Sequence, residues 1–512
     1  MSLFKSAFTV GSFTLCSRIL GYIRDILIAS VLGAGFLADA FFVAFRLPNF
    51  FRTLSAEGAF NAAFVPLFAG KLEEKGKDEA VSFASHVLSF MFFILLCLTI
   101  IMQIFMPAVM HVLAPGFLDD AEKFDVTVQF GRIVFPYLLF ISLMSLFSGV
   151  LNSFGKFAVA ASAPIWLNIC CIFALLVVAK YTDTPAHALA WAVMVSGVIQ
   201  FLWVAVAAYK NGARIYLSLP KLDDDVKILL KRMVPGIIGG GVTQINLWIN
   251  TVIATTMAGA VSYLYYADRL VQFPLAIIGT AMGTALLPVL SRQIKGKKLD
   301  EAINTQNRAL EIVMIFTIPA AVALIIIAEP LISVMFERGK FGAEETKATS
   351  AALIAYAVGL PAFVMIKIFL PSFFANGDTK TPVKIAAICL VANVTISLIL
   401  IRYIGHVGLA VATSFSSWLN TSLLCGILIK RGIYKADSSL NIRLLKVSLS
   451  SAVMGVMLFY MQGFMGSYLS GMFMQKFIAL SGLIISGVVA FFVVSYITKC
   501  VRPSDFRRLL KG

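Results

Sequence analysis

The chain has 512 residues, of which 60% are hydrophobic and only 13% charged, with a formal net charge of +16. Soluble domains carry about 25% charged residues, and mean hydropathy here is +0.91, so a soluble globular or disordered chain is excluded and a polytopic membrane protein is expected. Seven cysteines lie among apolar residues without C-x-x-C spacing, and His86, His111, His187 and His406 form no H-x-x-x-H pair. These patterns speak against a disulfide framework and a metal site. No phosphate-binding G-x-x-x-x-G-K-[ST] loop is present, so any transport must draw on a source other than the chain's own ATP hydrolysis.

About 20 apolar residues cross a bilayer as a helix. In chain order, such spans fall near 6–33, 37–69, 81–113, 127–151, 157–180, 186–209, 229–254, 261–291, 309–328, 350–375, 382–402, 406–429, 443–462 and 477–499. The expected fold is therefore all-α and polytopic, with fourteen transmembrane helices. The first span is split by arginines and runs on as a long helix, so it does not read as a cleavable signal peptide.

Span 1 carries Arg18, Arg24 and Asp25. Arg18 and Asp25 are seven residues apart and share a helix face, whereas Arg24 points elsewhere. Arg24 and Asp25 are either a self-neutralising local pair or part of a cationic site. In span 2, Asp39 is either an ordinary helix-start acid or a latch to the other half. Pro48 is expected to break this helix, followed by Arg52, Ser55 and Glu57 near mid-depth. Glu57 is a second intramembrane acid and a gate partner for an arginine. Span 7 contains Gly239-Gly240-Gly241 with Gln244, Asn246 and Asn250, which suit close helix approach and interhelical hydrogen bonds. Span 8 carries Ser262, Tyr263, Asp268 and Arg269 ahead of Pro274. Asp268 and Arg269 again form a pair that is partly self-neutralising, and Ser262 is a candidate for polar contacts at the outer gate. Lys367 in span 10 either adds positive charge to a cavity or snorkels outward. Asp223-Asp224-Asp225 reads as a helix-start cap.

The connections after even-numbered spans hold most of the 42 basic residues, including Lys71, Lys75, Lys77, Lys210, Arg214, Lys221, Arg292, Lys295, Lys298, Lys430 and Lys446. By the positive-inside rule both termini are cytoplasmic. The net charge is then mostly topology, with anionic membrane lipids as a partner and no nucleic acid implied.

An internal repeat runs through the chain. Ala44-x-Arg46-Leu47-x-Asn49-Phe50 recurs as Ala267-x-Arg269-Leu270-x-Gln272-Phe273, and Lys75-x-x-Asp78-Glu79-Ala80 as Lys297-x-x-Asp300-Glu301-Ala302. Pro66 matches Pro288, and Pro136 and Asn168 match Pro361 and Asn393 at the same spacing. Six spans separate the copies, so the halves are parallel repeats, an arrangement that places a transporter's site between two lobes. The expected organisation is an N-terminal lobe over 1–222, a C-terminal lobe over 223–435, and two added helices with a basic tail over 436–512.

An arginine at the centre of a spanning helix costs about 2.5–3.5 kcal/mol on insertion scales. Arg18, Arg24, Arg52 and Arg269 together imply roughly 10 kcal/mol unless they face water, counter-charges or an anionic ligand. Guanidinium groups grip phosphate through a planar fork of donors, so a cationic cavity for a diphosphate or other polyanion is expected. Driving force falls to the membrane potential or an ion gradient, with no cofactor.

The stretches SRILGYIRD, GAGFLADAFFVAFRLPN, FFRTLSAEGAFNAAFVP, YYADRLVQFP, GTALLPVLSR and GDTKTPVK resemble the MurJ/MviN family of lipid II flippases, within the multidrug/oligosaccharidyl-lipid/polysaccharide exporter superfamily. The resemblance covers essentially the whole chain. It implies a non-enzymatic transporter of the bacterial inner membrane that moves lipid II, undecaprenyl-diphosphate linked to a disaccharide-pentapeptide, to the outer leaflet for peptidoglycan synthesis, with the cell-wall synthesis machinery as a partner. It assigns the central cavity to Arg18, Arg24, Arg52 and Arg269, polar contacts to Ser17 and Asn49, functional acids to Asp25, Asp39 and Glu57, and a serine to Ser262. It also implies a lipid-facing groove toward spans 13 and 14. One departure stands out: Gln272 occupies the place of an acid in a DRL-x-E pattern, which leaves Asp268 to supply any charge there. A flippase for another polyprenyl-diphosphate oligosaccharide, or a cation-coupled exporter of the same superfamily, is the alternative.

Overall fold

The computed structural model describes residues 3–53 and 59–500. Among these the fold is all-helical, the one strand-like feature being an isolated bridge between Arg338 and Phe341. Among the described residues ten helices are long and apolar enough to cross a membrane, and an eleventh span exists if Asp224–Ile237 and Gly240–Ala254, bent by 48° at the glycine cluster, count as one. The chain is a multi-pass membrane protein.

The first compact unit comprises Met1–Ser262 with Arg338–Phe341. Its helices are α1 (Leu3–Leu32), α2 (Phe36–Phe51), α3 (Phe60–Glu74), α4 (Lys77–Leu113), α5 (Ala121–Val134), α6 (Tyr137–Ser153), α7 (Phe157–Leu176), α8 (Pro185–Lys210) and α9 (Asp224–Ala254), followed by the start of α10 (Ala260–Pro274). Helix α1 packs on α7, α2 on α5, and α3 on α4, α6 and α9. Phe60, Phe64 and Phe68 form a ladder along α3, with successive ring centroids 5.0 and 5.6 Å apart, and Phe83 of α4 joins it at 5.7 Å. Each such contact adds about 0.5–1.5 kcal/mol beyond area burial.

Helix α2 corrects one expectation. It runs through Pro48 to Phe51 and then widens into π-type backbone at Arg52 and Thr53. Proline removes one ladder bond, the one to Ala44 O, but spanning helices tolerate such a loss inside packed protein. On the turns around it, Asn49 Nδ2 donates to Phe45 O at 3.1 Å and Thr53 Oγ1 to Asn49 O at 2.9 Å. The repeat-related stretch behaves alike: α10 ends at Pro274, a π-helix covers Leu275–Thr280, and α11 (Ala281–Lys295) follows.

The second unit comprises Tyr263–Glu337 and Gly342–Gly512. Beyond α11 it holds α12 (Leu299–Ile326), α13 (Ala328–Phe336), α14 (Ala343–Ala375), α15 (Lys380–Ile404), α16 (Val407–Lys430), α17 (Ser438–Phe464), α18 (Gly466–Leu469) and α19 (Phe473–Ile497). Helix α16 packs on α14 and α15, while α17 packs on α12 and α19. Ile315, Val447, Met454, Leu458, Leu483 and Phe491 form the apolar core that joins the last two long helices to α12. At its end Glu311, almost fully buried, receives Arg308, Arg443 Nη1 at 2.8 Å and Ser439 Oγ at 3.3 Å. Arg443 Nε also donates to Cys500 O at 2.9 Å, so one cluster fastens both added helices.

Candidate functional site

In α1, Arg24 Nε and Nη2 both donate to Asp25 Oδ1, at 3.0 and 2.7 Å. Both residues are buried, Asp25 completely. Arg18, two turns earlier, is exposed and makes no ion pair with a described residue. Ser17 faces α7: Asn168 Nδ2 donates to Ser17 O at 2.9 Å and reaches Ser17 Oγ at 3.4 Å. Cys171 lies one turn further along α7, buried, with Arg24 and Asp25 in its electrostatic environment.

Helix α2 carries the next cationic turn. Arg46 bonds Thr251 Oγ1 of α9 and reaches Leu247 O at 3.5 Å. Phe50 stacks with Trp248 of the same helix, ring centroids 4.2 Å apart. A small cavity beside them is lined by Val43, Arg46, Leu47, Leu113, Trp248 and Thr251. Arg52 is half-buried and its Nε donates to Asn49 Oδ1 at 3.1 Å. Glu57 and Ser55 lie outside the described residues.

Asp39, at the start of α2, is fully buried and saturated. Lys123 Nζ of α5 approaches Oδ2 at 3.2 Å, Gly259 N–H donates to Oδ2 at 2.9 Å, and Ser262 donates to Oδ1 through N–H at 3.0 Å and Oγ at 2.7 Å. The carboxylate therefore caps the first turn of α10 from another helix. Lys123 is held in turn over the Phe117 ring, 4.1 Å from its centroid. Removing one partner of a buried pair of this kind costs about 3–5 kcal/mol, because the other charge stays buried alone. Lys123 escaped the sequence reading because it lies outside the expected spans, in an acidic connection (DDAEKFD) where a solvated role was the simpler inference.

In the second unit, Arg269 is half-buried, its guanidinium 5.9 Å from the centroid of the Tyr265 ring. Gln272, where the resemblance anticipates an acid, donates to Asp268 Oδ1 at 3.4 Å. Tyr263 lies 5.1 Å from His406 and Tyr266 5.0 Å from Phe336, which makes these rings packing groups inside the unit. Lys367 is exposed. The acidic triplet behaves as read: Asp223 caps α9 by accepting Val226 N–H at 2.9 Å.

The structure thus brings Ser17, Arg18, Arg24, Asp25, Asp39, Asn49, Arg52 and Ser262 into the first unit and places Asp268, Arg269 and Gln272 in the second. Within α1 and α2, Asp25 is engaged by Arg24 and Asp39 by Lys123. Among the described residues, Arg18 adds exposed positive charge to α1 beside this engaged pair, and Arg52 places a second guanidinium just after α2. Guanidinium groups gathered in this way favour a phosphate-bearing ligand over a cation.

The helical fold is shared with a solved inward-facing multidrug resistance MATE family transporter of the MOP superfamily, which aligns with a TM-score of 0.68 at 14% identity, covering 83% of this chain and 98% of that one. More specifically, the family profile described as lipid II flippase MurJ matches residues 28–479. A probable lipid II flippase MurJ of Rhizobium tropici is 43% identical over 519 residues, 100% of this chain and 97% of the relative. The lipid II flippase MurJ of Burkholderia cenocepacia is 40% identical over 440 residues, 85% of each. A solved structure of a lipid II flippase MurJ in an inward closed conformation aligns with a TM-score of 0.79 at 26% identity, covering 98% of this chain and 99% of that one. The chain belongs to the lipid II flippase MurJ family, a family of transporters rather than enzymes.

Proposed function

We propose that this protein flips lipid II, carrying the undecaprenyl-diphosphate-linked disaccharide-pentapeptide from the inner to the outer leaflet of the bacterial cytoplasmic membrane by alternating access. The observation that carries the reading is the run of guanidinium groups along α1 and α2, with Arg18 exposed, in a chain of this family. Arg18 and Arg52 are the diphosphate-binding groups in the first unit, with Arg24 released from Asp25 to join them, and Arg269 contributes from the second. Ser17 and Asn49 orient the neighbouring helix turns, and Asp39 with Ser262 governs opening at the start of α2 and α10. Glu57, Asp268 and Gln272 serve as gate or charge partners.

The halves 1–222 and 223–435 are the moving lobes, and 436–512 supplies the added helices. Both termini lie in the cytoplasm, as the basic connections demand. No bond is made or broken, so the energy comes from the membrane potential, about 2.3 kcal/mol per charge per 100 mV, or from an ion gradient. The basic connections contact anionic lipids, and the protein hands its cargo to the cell-wall synthesis machinery.

The test is complementation of a strain depleted of its own lipid II flippase, joined to a proteoliposome assay of lipid II exposure. The native chain should restore growth and expose lipid II, whereas Arg24→Ala with Arg269→Ala should abolish both at normal expression. A well-expressed native chain that does neither overturns the cargo assignment. Full translocation by the double variant overturns the cationic site.

A further inference from the structure

The segment joining α8 to α9 has no helix of its own, yet it is not a free loop. From Ala213 to Leu222 the backbone carries no regular element and lies along α4. Tyr216 N–H donates to Ser85 Oγ at 3.2 Å and Ser218 N–H to Ser89 Oγ at 2.9 Å. Both serines are buried. Lys77 Nζ reaches Asn211 O at 3.4 Å at one end, and His86 Nδ1 meets Asp223 Oδ2 at 2.8 Å at the other. Hydroxyl groups of α4 thus satisfy backbone groups that an unsupported extended chain would leave to water.

This strap turns apolar side chains outward. Tyr216, Leu217, Leu219 and Leu222 are 56%, 58%, 82% and 54% exposed. Their depth is set by α4. Phe93 and Ile94 begin the exposed apolar surface of that helix, which continues through Ile101 and Phe105 and faces lipid in a multi-pass protein. Ser89 precedes Phe93 by one helical turn, about 6 Å along the axis. The strap therefore lies where hydrocarbon gives way to headgroups.

Within Ala213–Leu222 the charge is one-sided, Arg214 and Lys221 with no acid. Lys210, Arg214, Lys221, Lys231 and Arg232 are exposed and make no ion pair with a described residue. The acids that open α9 are already engaged: Asp223 by His86, Asp224 by Lys227 and Asp225 by Lys71, while Glu73, Glu74, Asp78 and Glu79 lie exposed at the turn from α3 to α4. Leucines and a tyrosine interleaved with exposed bases match the chemistry of an anionic bilayer surface, in which aromatic and aliphatic groups enter the boundary while bases meet phosphate.

We propose that the Ala213–Leu222 strap is an interfacial anchor for anionic phospholipid, with Leu217, Leu219 and Leu222 in the headgroup–acyl boundary and Arg214 and Lys221 on lipid phosphates. This deepens the anionic-lipid contact proposed above and does not depend on lipid II being the cargo. The full chain carrying Leu219→Trp is reconstituted in phosphatidylcholine nanodiscs containing a small, equal fraction of either dibrominated phosphatidylglycerol or dibrominated phosphatidylcholine. The fluorescence difference from the unsubstituted chain reads the new indole. Quenching should be stronger with brominated phosphatidylglycerol, and replacing Arg214 and Lys221 by Gln should weaken that preference by about fivefold per charge removed. Absence of quenching by either lipid, as water or a protein partner over the strap would give, overturns the proposal. Equal quenching by both lipids overturns it as well. Lipid II exposure by the same Leu219→Trp protein is measured in parallel, so that a failed anchor and a failed cargo assignment are told apart.

Discussion

Charged residues in this protein are decided by their partners. Arg24, Asp25, Asp39, Lys123 and Glu311 are all buried or nearly so, and each has an opposite charge within hydrogen-bonding reach. Outside the spans, Asp378 in the turn between α14 and α15 shows the same logic in a titratable form. Hydrogen bonds from the Thr381 side chain and its N–H, the latter at 2.9 Å, hold its carboxyl well below the usual carboxylate range, and the Arg431 guanidinium at 2.6 Å adds to this. A folded-state pKa below the unfolded value means stability that is fully present above the ordinary carboxylate range and is lost as pH falls through the depressed folded value. Thermal unfolding of the solubilised protein should therefore show an acid-side loss that Asp378→Asn flattens, with little difference between the two proteins' pH slopes above about pH 5. An unchanged acid slope in the variant would show that the turn does not contribute.

At the scale of elements, runs of about 20 apolar residues were enough to place an all-helical fold of long apolar helices, but not to show how closely they approach. Helices α14 and α16 meet at Gly359, where an added Cβ would lie 2.5 Å from Ser414 Oγ and 2.9 Å from its Cα. Ser414 Oγ already donates to Ala355 O at 2.6 Å, so it has little room to give. Gly426, on the same α16, has nothing within 4 Å of such a Cβ. Gly359→Ala should destabilise the solubilised protein by about 1–3 kcal/mol through overpacking. Gly426→Ala should be neutral or stabilising by up to about 1 kcal/mol through helix propensity. Thermal midpoints of the two variants, measured side by side, distinguish a contact effect from a general intolerance of alanine for glycine. The repeat was legible because equal spacings of proline, arginine and asparagine survive in both halves. The wide π-type turns were not, because nothing local separates a proline that ends a helix from one that the helix runs through.

For the whole molecule, the added C-terminal helices belong to the second unit through one apolar core and one ionic cluster. Glu311 has only 1% of its side chain exposed and Arg443 17%. Glu311→Ala removes the buried carboxylate that Arg308 and Arg443 share, at a cost of about 3–5 kcal/mol. Hydrogen exchange should accelerate first at the beginning of α17 and the end of α19, while α14–α16 keep their protection. Uniform acceleration across the unit would argue that the cluster does not fasten these two helices in particular.

Hydropathy, basic-residue asymmetry and the internal repeat are local or statistical properties of the chain, and they were sufficient to establish a polytopic helical protein and to single out arginines where lipid would reject them. The resemblance carried by SRILGYIRD and the runs after it pointed to the family that the full-length relatives establish. What the chain alone left open was every pairing between distant residues: Arg46 with Thr251, Asn168 with Ser17, Lys123 with Asp39, Arg443 with Glu311. Those depend on which helix faces which. A buried charge takes whichever partner the packing brings within about 3 Å, and that choice exists only once the helices have assembled.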